Sequence, residues 1–182
     1  MNGEAYLRQA YEAILKGDFE LALHGFQLAI AAEPGNASYY YKGSVTCMRS
    51  GKLPLAMSYA QKALELMPDD PTYKLHYRTV KAKQLIAETK GRLAMALPNA
   101  DACIADLKEA TELDPLSVEA FLLLGIAYRI RKDYRRSLES LRETLALDPL
   151  NEEARRLLFE VRAERRRALK QQYSNSNPKR NR

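Results

Sequence analysis

The sequence predicts an all-α fold, a solenoid of antiparallel helix pairs closed by a terminal helix, and three observations predict it. Prolines recur at a fixed interval: Pro34 and Pro68 lie 34 residues apart, as do Pro115 and Pro149, while Pro68 to Pro115 is one such period plus 13 residues. Each proline follows a stretch with the same internal order, Ala22-Phe26-Ala29, Ala56-Ala60-Ala63, Cys103-Leu107-Ala110 and Ser137-Leu141-Thr144, at constant offsets. No segment alternates apolar and polar residues with period two, so no sheet is expected. A unit of this length cannot bury its apolar face alone and must stack on its neighbours.

The elements follow in order. Helices are expected over 3–16 and 19–33, divided by the turn Gly17-Asp18, and over 37–50 and 53–67, divided by Gly51-Lys52. Glycine and aspartate suit a tight reversal because glycine tolerates a left-handed backbone and aspartate caps the next helix. Asn36, Asp69-Asp70, Ser117 and Asn151 stand where helices begin, and their side chains can accept the orphan N–H bonds there. Pro71 is suited to a first helical turn, and from Thr72 to Leu97 there is no further proline, so one long helix is expected over 71–97. A break near Lys83–Leu85 is the competing geometry. Helices over 100–113, 117–131, 134–147 and 151–172 complete the set, with Lys132-Asp133 as the turn of the last hairpin. Small residues in the first helix of each pair, Ala10, Gly43-Ser44, Gly91 and Gly125, are expected to let the paired helices approach closely, since glycine inside a helix costs about 1 kcal/mol and needs a reason.

This grammar resembles the tetratricopeptide repeat family. The match is best over 118–151, where Phe121, Leu124, Gly125, Tyr128, Leu141 and Pro149 stand at the family's aromatic, leucine, glycine, tyrosine, bulky and proline sites. The resemblance implies a right-handed solenoid: a single array over 3–173 with repeats at about 3–36, 37–70, 71–117 and 118–151, a capping helix over 151–173, and a disordered basic tail over 174–182. It also implies that the first helices of the hairpins line a concave, peptide-binding groove. That groove is expected to hold Leu7, Tyr11 and Ile14, then Tyr41, Val45 and Met48, then Leu122, Ile126 and Arg129. Within Tyr39-Tyr40-Tyr41, Tyr40 is assigned to packing and Tyr41 to the groove. One subtype of the family binds acidic chaperone tails through Lys, Asn and Arg on these helices. Leu7, Tyr11 and Val45 occupy those sites here, which argues against that activity. Another part of the family is fused to a J-domain, but no His-Pro-Asp tripeptide occurs here.

Charge is concentrated. The chain has 29 Lys and Arg against 23 Asp and Glu, a formal charge of +6, and residues 151–182 carry all of the excess. The basic patch comprises Arg155, Arg162, Arg165, Arg166, Arg167 and Lys170 on the last helix, with Lys179 and Arg180 beyond it. Ala154, Leu157, Leu158, Val161 and Ala168-Leu169 are expected to face the array. A cluster of this kind attracts RNA, anionic lipid or an acidic protein surface. Nucleic acid is not favoured, because no aromatic residues interleave with the arginines to stack bases. In the long helix, Lys74, His76, Arg78, Lys81 and Lys83 with Leu75, Tyr77 and Val80 read either as a solvated extension or as a projecting ledge for a partner or second copy.

Catalytic signals are weak. The two histidines, His24 and His76, are far apart, and no metal-ligand spacing, phosphate loop or nucleophile elbow occurs. Cys47 and Cys103 occupy packing positions and read as small buried hydrophobes. No catalytic residue, cofactor or metal is expected. With no leader-like segment and no long apolar run, the protein is expected to be cytoplasmic, without membrane insertion. The leading reading is a non-catalytic adaptor that holds a hydrophobic peptide or helix in the groove. The alternatives are an RNA- or ribosome-associated factor docking through the basic end, a small secretion-type chaperone, and self-association.

Overall fold

A computed structural model describes residues 2–176, with side chains to 173. Among the described residues there are nine α-helices and no strand: α1 (Gly3–Leu15), α2 (Phe19–Ala32), α3 (Ala37–Arg49), α4 (Leu53–Leu66), α5 (Pro71–Leu93), α6 (Ala100–Leu113), α7 (Val118–Ile130), α8 (Tyr134–Leu147) and α9 (Glu152–Ser176). The all-α repeat of helix pairs is therefore what the chain forms. Starts are set by capping: Asn2, Asp18, Asn36, Asn99, Ser117 and Asp133 each accept a first-turn backbone N–H. Asp70 does the same for α5 and Asn151 for α9. Each such cap is worth about 1 kcal/mol.

Three hairpins close on one backbone motif. Asp18, Lys52 and Asp133 each donate their N–H to a carbonyl five residues back, on Ala13, Cys47 and Tyr128, at 2.9 Å in every case. The residue before each is left-handed: Gly17 at φ +77°, Gly51 at +76° and Lys132 at +63°. This is the bond pattern that satisfies a helix C-terminus through a left-handed residue. Lysine has a Cβ that crowds its own backbone there. Lys132→Gly is expected to stabilise the protein by about 0.5–1 kcal/mol, read as a higher urea midpoint at unchanged m-value. A lower midpoint would show that the Lys132 side chain holds something the backbone argument omits.

The chain divides into two compact units, residues 1–84 and 85–182. In the first, Leu23, Cys47, Ala56, Ala60 and Val80 form a buried cluster with Tyr59 and Tyr77 against it. In the second, Ile86, Ile104, Leu107, Leu123 and Leu124 form one cluster, and Leu138, Leu141, Ala154, Leu157 and Val161 form another. All twelve periodic positions of the second helices, from Ala22 to Thr144, are at most 1% exposed.

The 13 extra residues are distributed in two ways. Helix α5 has 23 residues against 13 in α1, α3 and α7. Its connector to α6 spans 94–99, whereas the other hairpins close over 16–18, 50–52 and 131–133. The long helix is continuous through Lys83–Leu85, and it stops at Leu93 rather than at 97. Its first part carries Val80 into the core of the first unit, and its last part carries Ile86 into the core of the second. His76, Val80 and Ala82 are buried while Lys74, Leu75, Arg78 and Lys83 are exposed, so one face of this stretch packs and the other meets solvent.

The longer connector also overturns one expectation. Gly91 is exposed and a Cβ there would meet nothing, while Thr89 is fully buried. Added connector residues set the last turns of α5 in a different register, and Thr89 takes the inward position. At the far end, α9 continues to Ser176, past the expected 173. The tail predicted to be disordered otherwise falls on 177–182, outside the described residues.

Candidate functional site

The nine expected groove residues are half-buried in every case except Tyr11, which is 42% exposed. In the first unit, α1 and α3 are joined at this face. Lys42 Nζ lies 5.6 Å from the centroid of the Tyr11 ring, and Tyr11 meets Phe26 edge-on at 6.1 Å. Tyr41 packs against Tyr73 at 5.2 Å and edge-on to His76 at 5.0 Å. Met48 leans on the buried cluster around Cys47. Leu7, Ile14 and Val45 complete the row.

In the second unit, Leu122 and Ile126 pack against the cluster formed by α8 and α9. Arg129 is held by two carboxylates of α9, with Nη1 2.8 Å from Glu160 and Nη2 2.6 Å from Glu164. These three residues thus make contacts within the chain that the sequence did not reveal.

Tyr40 packs as assigned, but it is not the deepest member of the tyrosine triplet. Tyr39 is the deeply buried member, at 4% exposure, whereas Tyr40 is half-buried against Tyr59 at 5.9 Å. Beside Tyr41 lies a buried polar pair. Ser44 Oγ donates to the Ala56 carbonyl at 2.6 Å, and His76 Nε2 lies 2.8 Å from Ser44 Oγ. Because the hydroxyl proton is already used, the imidazole donates from Nε2. Burial holds the His76 pKa below its ordinary 6.5. Neutral His76 therefore stabilises the fold above pH 6.5, and that contribution is lost as pH falls below it. Unfolding free energy should decline as the pH falls below 6.5, and His76→Gln, which keeps a donor but does not titrate, should flatten that part of the profile. An identical slope in the variant would remove His76 as its source.

The thiols of Cys47 and Cys103 are free and buried, and burial pushes Cys47 up to about 11. His24 is exposed on α2. Among the described residues no group of three or more His, Cys, Asp or Glu could hold a metal ion, and no helix is long and apolar enough to cross a membrane.

Helix α9 carries the charge as expected. Arg155, Arg162, Arg165, Arg166, Arg167 and Lys170 are exposed, with Arg155 donating to the Pro149 carbonyl. Lys179 and Arg180 lie outside the described residues. Ala154, Leu157 and Val161 face inward, but Leu169 is 44% exposed. With 25 residues, α9 outruns the 14 of α8, and of residues 165–173 only Ala168 is half-buried. Phe159, 69% exposed, and Tyr173, 77% exposed, stand on the same helix, so aromatic side chains do interleave with the arginines. The period contained the signal: Phe159 lies one repeat length after Gly125.

Comparisons with known proteins bear on the fold and on the family. A tetratricopeptide repeat family model matches residues 7–71 and 89–152, and the unmatched stretch between them lies within α5. The "BBSome complex member bbs-4" of Caenorhabditis elegans is 27% identical over 168 residues, covering 76% of this chain and 36% of that protein. The "DnaJ homolog subfamily C member 7" of Mus musculus is 29% identical over 117 residues, 64% of this chain and 21% of the relative. The chain thus spans well under half the length of these two curated relatives. Among solved structures, MamA from Desulfovibrio magneticus RS-1 aligns with a TM-score of 0.55 at 17% identity, covering 90% of this chain and 85% of MamA. Cut9 in the Cut9-Hcn1 structure aligns with a TM-score of 0.53 at 19% identity, covering 88% and 30%. At these identities the structural likenesses speak to the fold.

Proposed function

The chain belongs to the tetratricopeptide repeat family, and on that premise we propose that it is a non-catalytic, cytoplasmic interaction scaffold that holds an apolar segment of another protein against the first-helix face of its first unit. The observation that supports this reading is that Leu7, Tyr11, Ile14, Tyr41, Val45 and Met48 on α1 and α3 are all partly open, with Tyr11 the most open. Tyrosine and methionine beside aliphatic side chains make a surface that accepts an amphipathic helix or an extended apolar peptide. Leu122, Ile126 and Arg129 are engaged with α8 and α9, so we assign the groove to the first unit alone. The name of bbs-4, a member of a multiprotein complex, agrees with an assembly role.

The test is selection of peptides from a displayed random library on the intact protein, followed by titration of the leading sequence. Apolar peptides should be enriched, and Tyr11→Ser with Val45→Asp should weaken them at least about tenfold, a loss of about 1.4 kcal/mol, while the helical circular dichroism is retained. Apolar binding indifferent to both changes would move the site away from α1 and α3.

A further inference from the structure

We propose that the cleft between α8 and α9 is a second docking site, and that it takes an acidic amphipathic helix of a partner protein. Helix α9 stands in the register of a first helix. Asn151 caps it as Ser117 caps α7, and buried Ala154, Leu157 and Val161 follow buried Ala120, Leu123 and Ala127 by one period. In α1, α3 and α7 the residue facing the paired second helix is small: Ala10, Ser44 and Gly125. A Cβ on Gly125 would come within 2.8 Å of Leu141, which shows how closely the two helices approach there. The corresponding residue of α9 is Phe159, and it is exposed.

A helix therefore cannot close on α9 in the hairpin geometry used elsewhere in the chain. What the face offers instead is an open cleft of about 440 Å³ lined by Leu138, Phe159, Arg162, Arg165, Arg166 and Leu169. Leu138 forms its buried floor. The charges of α9 are sorted about this cleft. Glu160 and Glu164 turn to Arg129 of α7, whereas Arg162, Arg165 and Arg166 have no carboxylate partner among the described residues.

These features select the occupant by charge and shape. Three guanidinium groups around an apolar floor call for carboxylates, which arginine holds through paired, charge-assisted hydrogen bonds. Phe159 and Leu169 both line the cleft and lie ten residues apart on α9, about 15 Å along the axis, a length that spans nearly three turns of a facing amphipathic helix. Residues 177–182, Asn-Pro-Lys-Arg-Asn-Arg, add three cations and no carboxylate side chain, so they do not complement the cleft. Nucleic acid binds through several flat faces on which successive bases stack, and the cleft offers a single exposed ring, Phe159, beside the aliphatic Leu138 and Leu169.

The experiment uses the intact chain, a phage-displayed random 16-residue library, a single-stranded RNA 20-mer, and vesicles of mixed phosphatidylcholine and phosphatidylserine. The variants are Phe159→Ala and the pair Arg162→Glu with Arg166→Glu; all three positions are exposed, and each variant is checked for retained helicity. The expected result is enrichment of peptides with Asp or Glu flanking apolar residues at helical spacing, with the leading peptide weakened at least about tenfold by either variant. Four results would overturn the proposal. RNA or vesicle binding that is lost with the arginines but indifferent to Phe159→Ala would make the patch a polyanion site. Concentration-dependent self-association abolished by Phe159→Ala would make the occupant a second copy. Acidic peptides lost with Tyr11→Ser and Val45→Asp, rather than with the cleft variants, would belong to the other groove. Absence of any acidic-apolar enrichment would leave the cleft without its ligand.

Discussion

Phe26→Ala should destabilise the first unit by about 3–5 kcal/mol, the range for removing a fully buried phenylalanine and leaving a cavity. Phe26 has no exposed surface and meets Tyr11 of α1 edge-on. It also comes close to α3, since its Cβ lies 3.5 Å from where a Cβ on Gly43 would stand. One side chain of α2 thus packs against two neighbouring helices. Small domains have total stabilities of roughly 5–15 kcal/mol, so this loss removes a large share, and nothing smaller at position 26 reproduces the contact with both α1 and α3. Urea denaturation followed by circular dichroism measures it, and Phe26→Leu, which keeps most of the volume, should cost much less. A cost below about 1 kcal/mol for alanine would mean that α1 and α3 collapse freely onto the gap, contrary to close packing between the hairpins.

Lys83→Pro should cost about 3 kcal/mol or more, although the side chain it replaces is exposed. Position 83 lies inside the uninterrupted helix α5. Proline there removes one backbone hydrogen bond, clashes with the carbonyl four residues earlier, and pushes residue 82 away from helical geometry. Ala82 is fully buried, so the distortion reaches the core. Lys83→Ala should be neutral within about 0.5 kcal/mol. Thermal melts of the two variants separate backbone from side chain. A proline variant as stable as the alanine variant would mean that α5 is broken near this point, the geometry the sequence left open.

The elements legible in the sequence were those governed by local chemistry or by strict repetition. Asn36, Asp70, Ser117 and Asn151 accept N–H groups only a few residues away, and such bonds depend on nothing distant. The small and bulky sites of α2, α4, α6 and α8 were legible because the same residue types recur at fixed offsets before each repeat's proline. Lys132 shows the strength of that repetition: it adopts the left-handed turn of Gly17 and Gly51 without being glycine. The basic face of α9 was also readable, since like charges on one helix turn to solvent.

The sequence alone determined the fold class, the family, the order of helices and the position of the charge, because each of these follows from periodicity, capping and composition. Only the tertiary structure decided what each side chain meets. Gly91 gave way to Thr89 because a longer connector changed how α5 is turned, and a local reading of glycine cannot sense that rotation. Arg129, expected to serve a ligand, is bound by Glu160 and Glu164, 31 and 35 residues further on. Phe159, whose place one period after Gly125 carried no warning of its exposure, lines a cleft because α9 has the register of a first helix without the small residue that register carries elsewhere. Burial and partnership are properties of neighbours brought together by folding, and no local pattern encodes them.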